Sequence, residues 1–169
     1  MTVEVSTMSE NADTSGRRER GNVWRLAVAQ ALAGANSTVF YATGAIVGDM
    51  FAPDKALATL PISIFVVGMA FCTLPAGAIA ARHGRRVVFM LGTGCGVIAG
   101  AFASLAVLYA SFWLFCLATF FGGVYAAVVL SFRFAAADCA APERRARAIS
   151  AVMAGGVFAG VIGPQLVTY

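Results

Sequence analysis

The groups able to do chemistry in this chain are three arginine clusters and a few polar residues set in long apolar runs. The arginines gather at 17–25, 82–86 and 144–147, and between Val87 and Phe132 no charged residue occurs. The sole histidine, His83, lies inside the second cluster, which argues against histidine-based zinc sites and catalytic triads. No phosphate-binding glycine loop ending in Lys and Ser or Thr is present. Cys72, Cys95, Cys116 and Cys139 show no metal spacing, and the three within apolar runs read as small buried hydrophobes. No enzymatic activity, cofactor or metal site is expected. Arginine clusters separated by apolar runs also fit nucleic acid poorly and membrane topology well.

The polar residues point to solute handling instead. Gln30, Ser37 and Tyr41 fall on one side of a helix, with Asn36 and Thr43 on a second. A span with two polar faces is uncomfortable against lipid, so one face suits a water-filled cavity and the other a helix contact. Asn36 falls near the middle of its run, where carrier substrate sites lie. Hydrogen bonding between helices is the competing role for these residues. Gly122, Ala126, Val129 and Arg133 share a helix face, and Arg133 is the one charge that could lie well inside a span. It either snorkels to the headgroups or attracts a polar or anionic solute. Asn36, Tyr41 and Arg133 are therefore the candidate cavity residues, suited to a polar or aromatic small molecule such as a vitamin or drug-like compound. Asp138, five residues beyond Arg133, is turned about 140° from it on a helix and is not expected to pair with it.

Glycines supply a second pattern. Gly92, Gly96 and Gly100 repeat every fourth residue, as do Gly155, Ala159 and Gly163. Such series make a groove that lets helix backbones approach closely, for tight packing or for sliding. Gly163-Pro164 joins a flexible residue to a missing backbone donor and marks an expected bend.

The elements that must position these residues follow from composition. Of 169 residues, 60% are hydrophobic and 12% charged, with a mean hydropathy of +0.81. Soluble domains carry about twice that charge, so neither a water-soluble single-domain enzyme nor a disordered chain is expected. Unbroken apolar runs, rather than alternating ones, predict an all-α integral membrane protein. Five transmembrane helices are expected, at about 24–48, 56–80, 87–108, 112–135 and 148–169, preceded by a disordered polar tail over 1–22. Residues 23–169 then form one helix bundle. Ten arginines fall on one side of these spans and only Lys55 on the other, which places the N-terminus in the cytoplasm. The short link Tyr109-Ala110-Ser111 predicts a tight hairpin between spans three and four, with Tyr109 and Trp113 at the membrane interface.

Three segments together resemble the major facilitator superfamily. Gly77-Ala78-Ile79-Ala80-Ala81-Arg82-His83-Gly84-Arg85-Arg86 resembles its cytoplasmic loop motif, matching at Gly77, Gly84, Arg85 and Arg86, with Ala81 at the acidic position. Ala137-Asp138 followed by Pro142-Glu143-Arg144-Arg145-Ala146-Arg147-Ala148 looks like the family's loop after span four. Ala159-Gly160-Val161-Ile162-Gly163-Pro164 resembles its small-residue and Gly-Pro motif in span five, with Ala159 where Gly is usual. Thr119 stands about where many members carry an arginine in span four.

The resemblance implies an alternating-access permease of the plasma (inner) membrane, built from two six-helix halves about a midplane solute site. It also implies a conformational latch in which Arg85 and Arg86, framed by Gly77 and Gly84, contact Asp138 on the cytoplasmic side. A contact made in one state and broken in the other biases the equilibrium between them. With Ala81 in place of an acid, part of that latch is missing. Five spans are fewer than the family's twelve, so the chain reads as a truncated N-terminal portion, inactive alone. Its expected partners are the lipid bilayer, an unidentified small solute and a missing second half. The alternatives are a membrane protein that scaffolds or regulates a partner, and a small oligomeric exporter.

Overall fold

A computed structural model describes the backbone over residues 2–168 and the side chains over residues 21–161. Six helices and no strand make up the described chain: α1 (Thr2–Phe51), α2 (Leu60–His83), α3 (Arg85–Leu108), α4 (Phe112–Leu130), α5 (Phe132–Cys139) and α6 (Arg145–Thr168). Short 3-10 turns over Lys55–Leu57 and Pro142–Arg144 lead into α2 and α6.

The helix ends are set by local chemistry. Asp54 accepts the Ala56 amide through Oδ1 and turns the chain after α1. Pro61 then occupies the first turn of α2, where its missing amide proton costs nothing. α2 therefore starts later than the apolar run suggests and continues to His83. α3 takes in Arg85 and Arg86, and α6 starts at Arg145, because arginine is a good helix former. The link expected over 82–86 shrinks to Gly84, whose φ of 85° lies in the region that favours glycine. Tyr109-Ala110-Ser111 makes the tight α3–α4 hairpin, with Ala110 at a positive φ of 47° and the Ser111 amide bonded to the Ala106 carbonyl. Tyr109 and Trp113 are exposed beside it. α1 is continuous from Thr2, with no boundary at residue 22, and the side chains up to residue 20 lie outside those described.

One element departs from its expected bounds by a break. The run 112–135 does not form one helix, because α4 ends at Leu130 and α5 begins at Phe132. Ser131 donates its hydroxyl to the Val128 carbonyl at 2.6 Å, and its amide also turns back to Val128. Such tightening by serine competes with the regular ladder over one residue, while Ser131 keeps right-handed helical dihedrals.

Among the described residues, three stretches are long and apolar enough to cross a membrane: Lys55–His83, Arg85–Leu108 and Phe112–Cys139. The last is also the hub. Its most apolar window is 56% buried against other helices, compared with 17% in each of the other two. α4 packs on α1, α2 and α3, whereas α1 leans mainly on α6. α2 and α3, though joined by one residue, share little contact and splay apart from Gly84. The small-residue cluster Ala27, Ala136, Ala140, Ala148 and Val152 ties α1 to α5 and α6. Phe115 with Val47 and Ala106 closes the other end of the bundle.

Glycines set how closely the helices approach. A Cβ at Gly123 would overlap the Phe65 carbonyl of α2, and one at Gly68 the Phe120 carbonyl of α4. On the α1–α6 seam, a Cβ at Gly155 would overlap the Ala27 carbonyl, and one at Gly34 would sit 2.9 Å from the Ala159 Cβ. Of the expected packing residues, Gly92 faces Val128, Gly96 faces the Tyr125 ring, and Ala159 is buried against Gly34. A Cβ at Gly100 would meet nothing within 4 Å, so this position is not a close helix approach. Its position in the series drifts off the α4-facing side, because four residues overshoot one turn by about 40°. The expected bend at Gly163 and Pro164 lies outside the described side chains.

Candidate functional site

The residues expected to act at the arginine-bearing end meet across three elements. Gly84 ends α2 and starts α3, which brings Arg85 into the first turn of α3 and out toward α5. Asp138 sits in the last turn of α5. Arg85 donates from Nε to Asp138 Oδ2 at 2.6 Å, and its Nη2 reaches the same oxygen. The side chains are 32% and 62% exposed, so water competes for both. An exposed pair of this kind contributes at most about 1 kcal/mol, which makes it easy to open. Arg86, one residue on, is exposed and has no described contact with Asp138. Gly77 and Ala81 are also exposed, with open space where a Gly77 side chain would be.

This cluster opens onto a cavity of about 750 Å³ between α2, α3 and the α4–α5 break. Gly77, Ala81, Gly84, Arg85, Asp138 and Arg133 all line it. Arg133 thus lines the same cavity as Arg85 and Asp138. Its guanidinium lies 4.9 Å from the Phe134 ring centroid, and its Nε is buried without a hydrogen-bond partner. Asp138 is turned to Arg85, not to Arg133.

Asn36 and Tyr41 are elsewhere. The exposed Asn36 side chain lies beside the Tyr125 phenol of α4. The Tyr125 ring rests on Gly96 of α3, so one tyrosine links α1, α3 and α4. Tyr41 packs its ring on Phe65 of α2 at 4.7 Å between centroids. The three candidate cavity residues therefore occupy three places. Tyr125 stands about 12 Å along the helix from the level of Arg133.

Sequence reasoning missed Tyr125, Gly68 and Gly123. A signal for Tyr125 existed, since a phenol inside an apolar run needs a polar partner. The glycines gave none, because each is explained by the helix lying opposite it. Thr119, where many superfamily members were expected to differ, is fully buried and bonds back to the Cys116 carbonyl.

Comparison with known proteins gives the frame for this geometry. The family model described as Major Facilitator Superfamily matches residues 26–169. The chain is 44% identical over 156 residues to a protein named riboflavin transporter RfnT from Brucella anthropi, covering 92% of this chain and 39% of that one. It is 26% identical over 170 residues to the uncharacterized MFS-type transporter YdeG of Bacillus subtilis, covering 98% of this chain and 40% of the relative. A second Bacillus subtilis protein, the uncharacterized MFS-type transporter YddS, is 29% identical over 150 residues, covering 84% and 33%. The chain thus spans about two fifths or less of the curated relatives it matches. No solved structure matches it.

Proposed function

The chain belongs to the Major Facilitator Superfamily, and on that premise we propose that it is the N-terminal portion of a carrier that moves a small solute by alternating access. The observation that carries the reading is the Arg85–Asp138 bridge. It joins residues 53 positions apart on different helices and is exposed enough to break when those helices separate. A contact of this kind favours whichever state forms it, and a carrier needs such a differential contact. Gly77 and Gly84 keep the neighbourhood free of side chains, and Arg86 adds charge beside it.

The solute in this reading is riboflavin or a similar flat, polar aromatic molecule. The named transporter among the relatives and the exposed amide of Asn36, beside the Tyr125 phenol, support it. The remaining features follow the same reading: a polar tail before residue 23, five spans, a cytoplasmic N-terminus and the plasma membrane. α1 and α6 supply the first and fifth spans. The chain then supplies half of a cavity, needs a second half to transport and carries out no enzymatic chemistry.

Reconstitution in liposomes with labelled riboflavin tests the proposal. The chain alone is expected to give no flux, and co-reconstitution with the C-terminal remainder of a riboflavin-transporting relative is expected to restore it. Flux from the chain alone would instead assign a small oligomeric exporter. A stable complex with another membrane protein and no flux under any condition would assign a scaffold.

A further inference from the structure

The cavity between α2 and α3 is polar at one end only. Its α2 wall runs from Val66 to Gly84, about 27 Å of helix, faced by Val88 and Phe89 of α3. Its hydroxyls are spent within their own helices, Thr73 on the Met69 carbonyl and Ser131 on the Val128 carbonyl. At the arginine-bearing end, Arg85 and Asp138 neutralise each other. Arg133 is left over. Among the described residues its Nε is the buried side-chain nitrogen or oxygen with no hydrogen-bond partner.

An arginine does not discharge by losing a proton, and a buried N–H without an acceptor is costly. The Phe134 ring offers its face but accepts no strong hydrogen bond. The missing partner is an anion, and the apolar walls select its form. A small hydrated anion gains nothing from Val66, Met69, Val88 and Phe89, whereas an acyl chain does. One lipid tail covers about half of a 30 Å hydrocarbon core, so the groove is long enough for it. Basic pockets between membrane helices bind anionic headgroups on the same grounds.

We propose that this groove binds an anionic phospholipid, with its phosphate on the Arg133 guanidinium and one tail lying between α2 and α3. Such a lipid supplies the counter-charge that no described side chain provides. It also fills the space left where α2 and α3 splay from Gly84, next to the Arg85–Asp138 pair.

Native mass spectrometry of the purified 169-residue chain tests this with phosphatidylglycerol and phosphatidylcholine of identical tails. Retention of one phosphatidylglycerol, preferred by about tenfold, is expected. Arg133→Gln abolishes that preference, Arg133→Lys keeps part of it, and Arg147→Gln leaves it unchanged, with helix content checked by circular dichroism. Should Arg133→Gln fail to fold, a photoactivatable tail on phosphatidylglycerol reports in the unmodified chain, with Met69 and Phe89 as its expected cross-link sites. Equal retention of the two lipids, an unaffected Arg133→Gln, or cross-links confined to other helices would overturn the proposal. Full displacement by millimolar glycerol phosphate would assign a small-anion site instead. A lipid-free dimer dissociated by Arg133→Gln would assign the groove to a second copy.

Discussion

The α2–α4 seam and the α1–α6 seam each place one glycine on either partner, yet they differ in what those glycines face. In the α2–α4 seam both meet main chain: Gly123 faces the Phe65 carbonyl and Gly68 the Phe120 carbonyl. In the α1–α6 seam only Gly155 meets main chain, and Gly34 meets the methyl of Ala159. A backbone carbonyl cannot move without moving its helix, whereas a methyl can be removed by substitution. The first seam is therefore fixed by the helix axes themselves and the second partly by side-chain choice. Exchanging α1 with α4 and α2 with α6 maps one seam onto the other, which is how nested inverted repeats are related in this superfamily. One architectural rule has thus been met with two degrees of tolerance.

Substitutions can break or sharpen that contrast. Gly123→Ala is expected to do most damage, because the new methyl would overlap the Phe65 carbonyl and lie 2.9 Å from the Met69 amide nitrogen. A loss of about 3 kcal/mol or more is expected in detergent unfolding, at the upper end of overpacking effects. A near-native Gly123→Ala would show that α2 and α4 can part freely. Gly155→Ala meets one carbonyl and should cost about 2 kcal/mol by the same measurement. Gly34→Ala should cost about 1 kcal/mol, and adding Ala159→Gly should recover most of it. Failure of that swap would mean the α1–α6 seam is as rigid as its counterpart.

Smaller effects lie outside the seams. Arg85→Ala should change stability by at most about 1 kcal/mol and leave membrane insertion unaltered, while slowing riboflavin flux in the reconstituted two-part carrier. Native flux in that variant would remove the bridge from the mechanism. Gly100→Ala should have the least effect, neutral or stabilising by up to about 1 kcal/mol, since the new methyl would meet nothing within 4 Å and alanine is the better helix former.

What the sequence made legible tracks how local each determinant is. The α3–α4 hairpin was readable because two apolar runs meet at Tyr109-Ala110-Ser111 with no room for a longer link. The all-helical class followed from unbroken apolar runs. The α4–α5 break was not readable, since apolar residues continue through Ser131 and only its bonds to the Val128 carbonyl interrupt the regular ladder. The neighbours of Arg133 depend on the α2 and α3 residues opposite it, which its own helix does not reveal. The separation of Asn36, Tyr41 and Arg133 was hidden for the same reason: it depends on which helix lies opposite each residue. The contact of Arg85 with Asp138 came into view only through a family resemblance. Residues 53 positions apart carry no periodic signal of each other.

The preference of α1 for α6 sets a schedule for biosynthesis. α4 starts within about 30 residues of the end of α2, so those partners emerge within about 2–6 s of each other at 5–20 residues per second. About 90 residues separate the end of α1 from the start of α6, a delay of about 5–20 s. Throughout that interval the first helix, carrying Gln30, Asn36 and Tyr41, lacks its principal neighbour. The order of synthesis therefore leaves α1 waiting longest for the helix it packs on most.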